Sequence, residues 1–354
     1  MKRRNFLKFL GTSAAATAAV GAASGIVLPG AALAAGKKDI GECKSVKVTV
    51  LSETSWFNND QFKKDITDGG GASTNQYSVP WDRDNSGGYS ALIEVEALDG
   101  SKKKFLMDTG WNNQWMDYVF ERHGIDKMLA NGEIDTLLLS HWHLDHYWGI
   151  ESTLKHNDKI RIIAPATHYP EDLQLLKGAD FTVPGCKNGT PHKGELVLVD
   201  DKTIVPVVPG LAIKMFDVPI LLRVRGENAL YANIQGKGIV TVTGCSHPGL
   251  LTLFTFAKRN IQGGDKTYGC YGGLHLSLFE NWDPKFDDVI KGALSFKPQK
   301  MGCNHCTGWV WAEKAAQAGL PIVKGTDTYK TYKRVSSVAG SSNVFLANGD
   351  TVTF

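Results

Sequence analysis

The segment Ser140-His141-Trp142-His143-Leu144-Asp145-His146 packs three histidines and an aspartate into one short stretch. Neutral imidazoles and a carboxylate are the usual protein ligands of zinc, iron and manganese, and few purely structural roles gather them so densely. The preceding Ile134-Asp135-Thr136-Leu137-Leu138-Leu139 reads as a short buried strand, so the four groups fall on the loop at its C-terminal end. Ligands spaced this way cannot share one face of a regular helix or strand. The loop must wrap, and a wrapped loop can serve two ions: His141 and His143 on one, Asp145 and His146 on the other.

Two ligands do not close a metal site, so further candidates are expected at later strand ends. The apolar run Ile239–Thr243 leads into Gly244-Cys245-Ser246-His247-Pro248, the same strand-then-turn context, and His247 is the expected third ligand of the first ion. Cys245 beside it is either a soft thiolate ligand or a small buried residue at a strand end. In Met301-Gly302-Cys303-Asn304-His305-Cys306-Thr307-Gly308, His305 precedes a helix start and is the expected late ligand of the second ion. Cys303 and Cys306 form a C-x-x-C pair, which can bind metal, cycle as a dithiol or lie as buried thiols near the metal. His275, after Gly272 and Gly273, is a ligand, a substrate-contacting acid or a hydrogen-bonded core residue. Asp108, in Asp108-Thr109-Gly110, can accept from the ring N–H of a ligand histidine and fix its tautomer. His123, His156, His168 and His192 stand in polar, turn-like contexts and read as surface residues.

The elements that must position these groups follow from periodicity and punctuation. Ser45–Leu51, Ala91–Ala97 and Lys104–Met107 read as strands, the last two joined at Asp99-Gly100-Ser101. Residues 113–131 read as a helix, 149–154 as a short one, 159–164 as a strand and 171–177 as a helix. Strands are expected at 195–199, 212–216, 221–225, 230–234 and 239–242. Three helices follow: 248–258, 284–295 with Asp283 as N-cap, and 308–318 with Thr307 as N-cap. The chain is expected to end in a strand pair, 344–346 and 351–353. Residues 55–89 are rich in Gly, Asn, Asp and Ser, with Trp56, Phe57, Tyr77 and Trp81 interspersed. They read as a long loop, either lying over the active-site mouth or packed as a surface insertion by its own aromatics.

The N-terminus has a basic Lys2-Arg3-Arg4, an Ala- and Gly-rich apolar stretch and an Ala32-Leu33-Ala34 site. That is the layout of a cleaved secretory signal, and the arginine pair with Phe6-Leu7-Lys8 resembles a twin-arginine export signal. The expectation is a signal peptide over residues 1–34 and one domain over 35–354, with 55–89 as a possible active-site loop insertion. The mature protein would be periplasmic or otherwise extracytoplasmic, with the twin-arginine export machinery as a transient partner and no stable membrane anchor after cleavage. Without Lys2, Arg3, Arg4 and Lys8 the chain holds 35 basic and 36 acidic residues, a balance that gives no reason to expect nucleic acid as a partner. Six cysteines in an oxidising compartment allow disulfides.

The H-x-H-x-D-H pattern after an apolar strand resembles the metallo-β-lactamase superfamily. With Asp108-Thr109-Gly110, the Cys245–His247 turn, Gly272-Gly273-Leu274-His275-Leu276 and His305-Cys306-Thr307-Gly308, it resembles the superfamily branch of dihydropterin ribofuranosyl-aminobenzene phosphate synthases and related metal-dependent hydrolases. The resemblance implies an α/β fold, a four-layer αββα sandwich. It implies zinc as cofactor, two ions, with iron or manganese as alternatives. It implies metal ligands His141, His143, Asp145, His146, His247 and His305, with Asp108 orienting a ligand. No Asp stands where many superfamily members bridge two metals; residues near Cys245 or His275 take that place. The expected activity is hydrolysis of a small-molecule ester, lactone or phosphoester by activated water, with Asp145 orienting the nucleophile and His275 as proton donor or oxyanion contact. The alternatives are a metal-dependent synthase or transferase of the pterin type, and a non-hydrolytic di-metal redox or binding protein.

Overall fold

The computed structural model describes residues 36–53, 56, 58–178, 188–326 and 342–354. The expected leader lies outside them, as does Cys186.

Two mixed sheets carry the molecule. The first runs in the order β13-β1-β2-β3-β4-β5-β6: β1 is Ser45–Ser52, β2 Ser90–Glu96, β3 Lys102–Met107, β4 Ile134–Leu138, β5 Arg161–Pro165, β6 Leu196–Val199 and β13 Thr351–Thr353. The second runs β12-β11-β10-β9-β8-β7: β7 is Ile204–Val208, β8 Leu211–Pro219, β9 Arg225–Ile234, β10 Gly238–Thr243, β11 Thr267–Gly272 and β12 Lys300–Cys303. In each sheet one half is antiparallel and the other parallel: β3 to β6 run parallel, and so do β10 to β12.

Alternation decides which side chains meet. In β1, Val46, Val48 and Val50 point inward while Lys47 on the other face pairs with Glu94 at 2.8 Å. The inward valines join Ile93, Phe105, Leu138 and Ile163 of the first sheet and Ile213, Leu230, Ala232, Val240 and Val242 of the second in one core. The sheets therefore pack face to face. The outer face of the first sheet, through Leu92, Leu106, Leu137 and Ile162, is covered by Met116, Val119 and Phe120 of the helix Asn113–His123. The outer face of the second is covered by the helices Leu250–Asn260, Lys285–Ser295 and Trp309–Gln317. Helix, sheet, sheet, helix is the expected four-layer αββα sandwich.

Several expected elements differ. Residues 55–89 are not a structureless loop. Asn58 caps the helix Asn59–Asp68, accepting from the backbone N–H of Asp60 at 2.9 Å and of Gln61 at 3.1 Å, and Phe62 and Ile66 anchor it in the outer core. Residues 221–225 do not begin a strand: Leu222 and Arg223 take left-handed backbone (φ 60° and 62°) in the tight turn Leu221–Arg223, and β9 starts at Arg225. The helix expected at 113–131 is divided by Gly124, left-handed at φ 67°, into Asn113–His123 and Ile125–Ala130. Val344–Leu346 forms no strand; its residues are buried against the Trp309–Gln317 helix and β12, and Asp350 accepts from Ala347 N–H at 2.9 Å to close the turn into β13. Thr307 does not cap the following helix: its hydroxyl accepts from Leu274 N–H at 3.0 Å instead. Strands β7, β11 and β12 were not among the strands expected by residue range.

Candidate metal centre

Five of the parallel strands, β3, β4, β10, β11 and β12, end at one rim of the sandwich, and each is followed there by a residue singled out above. Asp108 follows β3, the His141–His146 loop follows β4, Cys245 and His247 follow β10, His275 follows β11 and His305 follows β12. Close approach of these loops depends on glycine. A Cβ on Gly273 would lie 2.6 Å from the Gly244 carbonyl oxygen and 2.7 Å from the Cys306 sulfur. Backbone strain gathers here too: Asp108, Ser246, His275 and His305 are all left-handed, at φ 57°, 56°, 49° and 52°.

The ring nitrogens converge in two sets. The ligand atoms of His141, His143 and His247 lie within 4.8 Å of one another, and so do those of Asp145, His146 and His305. His141 Nε2 is 3.1 Å from His143 Nδ1, and His146 Nε2 is 3.1 Å from His305 Nε2. With metal–nitrogen bonds of about 2.1 Å, two ligands of a tetrahedral ion lie roughly 3.4 Å apart, so this spacing fits.

The opposite nitrogen of each ring has its own partner, which fixes where the lone pair points. His143 Nε2–H donates to the Leu221 carbonyl at 2.9 Å, leaving Nδ1 free to face the centre. His305 Nδ1–H donates to the Glu53 carbonyl at 3.1 Å. His247 Nδ1–H donates to Glu227 Oε2 at 2.8 Å. Ser140 donates its hydroxyl to Asp108 at 2.6 Å and so accepts from His141 Nδ1–H at 2.9 Å. His146 Nδ1 meets the same Asp108 oxygen at 2.7 Å. Burial pushes the Asp108 carboxyl well up while two hydrogen bonds from Ser140 pull it down; a cation drawing on His146 Nε2 would leave the shared proton on the ring. Five lone pairs thus aim at one buried volume. His247 Nε2, 9 % exposed as a residue, has no hydrogen-bond partner among the described residues.

The charges agree with this geometry. Burial, then repulsion from neighbouring rings, pulls His141 and His146 well below the ordinary imidazole value and His143 down to about 3. Burial lowers His305 as well, against the raising effect of Asp145. These rings are neutral at pH 7, the form that binds metal. The donor set, two or three imidazoles and a carboxylate per ion, fits zinc, iron or manganese.

Sequence reasoning missed Glu227. Its carboxylate is fully buried and accepts from the backbone N–H of Cys245, Ser246 and His247 as well as from the His247 ring. Burial alone would raise it; His247 and these hydrogen bonds outweigh that and hold it near 2. An acid at the start of β9, just ahead of the apolar run Ala229–Ala232, was the available signal. Asn228 was missed as well: its backbone N–H and side-chain amide donate to the carbonyls of Ser140 and Leu139, at 2.7 and 3.0 Å, tying the second sheet to the ligand loop.

The C-x-x-C residues face different ways. Cys303 is buried in the outer core with Cys270, whereas Cys306 lines the site against Cys245. No disulfide joins the described cysteines. His275 stands at the edge of the first set, its ring 4.6 Å from that of His247. His123, His156, His168 and His192 are half-buried and belong to neither set. A cavity of about 40 Å³ opens beside both sets, walled by Trp56, Phe62, Leu221, Leu222 and Leu278 and reaching His143, Asp145, Cys245, His247, His275 and His305. Trp56 and Phe62 come from the 55–89 segment, for which a place over the mouth and packing by its own aromatics were both expected readings; Trp56 also stacks on Phe62 and Trp81.

Residues 83–182 match the family model described as the metallo-beta-lactamase superfamily. Among named proteins it is similar to the 7,8-dihydropterin-6-methyl-4-(beta-D-ribofuranosyl)-aminobenzene-5'-phosphate synthase of Methanocaldococcus jannaschii, with 28% identity over 251 residues, 63% of this chain and 81% of that protein. Among solved structures, a metal-dependent hydrolase of the beta-lactamase superfamily shares 18% identity, covering 77% of this chain and 91% of its own, at a TM-score of 0.46. The metallo-beta-lactamase fold protein YhfI from Bacillus subtilis shares 13%, covering 88% and 100%, at 0.45.

Proposed function

We propose that the protein is an exported metal-dependent hydrolase acting on an ester, lactone or phosphoester. The observation that carries the reading is the convergence of five imidazole lone pairs, one of them the unpartnered His247 Nε2, on a buried volume beside a cavity. His141, His143 and His247 would hold one divalent ion, and Asp145, His146 and His305 the other. Ions held there would supply Lewis acidity and lower the pKa of water toward about 7.

The remaining steps belong to the chain. Asp145, whose carboxyl is raised by burial, faces the cavity and orients the attacking water. His275 at the cavity wall contacts the developing oxyanion or returns the proton to the leaving group. Trp56, Phe62, Leu221, Leu222 and Leu278 exclude water and suit an apolar acyl or aromatic group. The arginine pair Arg3-Arg4 and the Ala32-Leu33-Ala34 site support export and cleavage of residues 1–34.

Elemental mass spectrometry on the purified protein, followed by an ester, lactone and phosphodiester screen, tests the reading. Two zinc ions per chain and turnover that His143→Ala abolishes are expected. Retention of both metal and activity in that variant would sink the assignment.

A second reading, a synthase on the same centre, draws on the 28% identity to the pterin-type enzyme. A phosphate-bearing substrate calls for basic side chains at the mouth. Arg225 is engaged by Asp217 at 2.7 Å, and Arg223 stands exposed next to Leu222. Turnover of pterin-like acceptors in preference to simple esters would favour this reading.

A further inference from the structure

We propose that Cys245 is itself a metal ligand, its sulfur standing between the two donor sets in the place a bridging carboxylate would take; this deepens the metal-centre reading above and rests on it. The Cys245 sulfur lies 3.3 Å from His146 Nε2. It shares one group within 4.8 Å with His141 and His146, another with His247 and His275, and a third with His305 and Cys306. It is therefore within reach of two nitrogens of the first set, His141 and His247, and two of the second, His146 and His305. With metal–sulfur bonds of about 2.3 Å and metal–nitrogen bonds of about 2.1 Å, a sulfur and a nitrogen on one tetrahedral ion stand roughly 3.6 Å apart.

A second observation points to the same occupant. His247 Nε2 is buried and unpartnered, and it faces the volume this sulfur borders. One carboxylate aims both groups: Glu227 accepts from Cys245 N–H at 2.9 Å and from the His247 ring at 2.8 Å. The left-handed Ser246 between them turns the chain so that both side chains enter the site. Cys306 is placed differently. Its S–H points to the Cys245 carbonyl at 3.8 Å; among the described residues its one ligand group is with Cys245 and His305, and its other histidine neighbour, His275, stands at the edge of the first set, so it does not reach nitrogens of both sets as Cys245 does.

Ligation would replace the S–H bond by a metal–sulfur bond, the proton leaving to solvent. A thiolate between two imidazole-rich positions selects zinc, cobalt or iron over magnesium or manganese. The test is titration of cobalt(II) into the metal-free full chain with its thiols reduced, reading the near-ultraviolet sulfur-to-cobalt charge-transfer band and the cobalt bound at equilibrium. The band is expected in the wild type and in Cys306→Ser. It should vanish in Cys245→Ser, with cobalt binding weakened at least about tenfold. Cobalt bound without the band in the wild type, or a band that survives Cys245→Ser, overturns the inference and leaves the metal centre standing. No cobalt bound overturns both. Should Cys245→Ser fail to fold, X-ray absorption on the zinc-loaded wild type decides: a sulfur scatterer near about 2.3 Å supports the ligand, and a shell of nitrogen and oxygen alone overturns it.

Discussion

Each candidate ligand depends on a second residue that holds its ring, and those second residues differ in how visible they were. Asp108 was visible, because an acid directly after a strand and before Thr109-Gly110 announces a turn at a rim. Its carboxylate binds both the Ser140 backbone, at 2.7 Å, and His146, at 2.7 Å, so it fixes the ligand loop as well as the ring. Asp108→Ala should therefore weaken zinc binding about 10- to 100-fold in competition with a chromophoric chelator; unchanged affinity would remove Asp108 from this role. Glu227 was hidden because its partner is 20 residues away and only the β9–β10 pairing brings them together. Asp172 gives a prediction away from the metal centre. Burial pushes its carboxyl up to about 7 from an ordinary 3.8, against hydrogen bonds from Tyr77 and the Tyr169 backbone. A raised acid keeps its proton more tightly in the folded state, so its contribution favours folding below about 4 and is lost as pH rises toward 7. The loss is up to roughly 4 kcal/mol. Denaturant unfolding at several pH values should show wild type losing stability over that window relative to Asp172→Asn; parallel profiles would contradict the assignment.

At the scale of elements, β3, β4 and β10 were the most legible of the strands that end at the rim, because buried strands read as apolar runs with a turn behind them. Thr267–Gly272 escaped notice since Tyr268, Gly269, Cys270 and Tyr271 show neither alternation nor a β-branched run, and its pairing with β10 and β12 supplies the order. The helix Asn59–Asp68 escaped because only Phe62 and Ile66 among its ten residues are apolar and buried, a single contact pair hidden in a polar stretch. Its cap, Asn58, was the readable signal. That segment is joined to the site through Gly88 and Tyr89: Tyr89 N–H donates to the Asp145 carbonyl at 2.8 Å, and a Cβ on Gly88 would lie 2.5 Å from the same oxygen and 2.4 Å from Trp111 N. Gly88 is also left-handed, at φ 78°. Gly88→Ala should cost about 3 kcal/mol or more, since both the backbone conformation and the contact oppose it. Urea unfolding measures this, and a cost under about 1 kcal/mol would mean that the segment yields without disturbing the ligand loop. Trp56, on the same segment, lines the cavity. Trp56→Ala should raise KM for apolar esters several-fold with kcat little changed, because a wall contact binds ground and transition states alike.

Over the whole molecule, the candidate centre lies where the two halves of the chain meet. His141, His143, Asp145 and His146 come from the loop after β4 in the first sheet, and His247, His275 and His305 come from loops after β10, β11 and β12 in the second. Besides the shared core, polar contacts tie the halves at this rim, among them Asn228 to Leu139 and Ser140, His143 to Leu221 and His305 to Glu53. Ions bound by ligands from both halves would fasten the sheets at the rim, and they would bind the folded chain far better than the unfolded one. Free metal at about a thousand times its dissociation constant adds roughly 4 kcal/mol per site by mass action. In a chain of this size each kcal/mol moves the midpoint by about 2 °C, so removal of one ion should lower Tm by about 8 °C. Thermal unfolding followed by circular dichroism, before and after chelation and again after zinc is restored, makes the measurement. Restoration should recover the original midpoint. His143→Ala and His305→Ala should each lose part of the zinc-dependent shift, one from each donor set. A midpoint indifferent to chelator would mean that the converging imidazoles are held by the fold alone, and that the two sheets need no ion to stay closed at this rim.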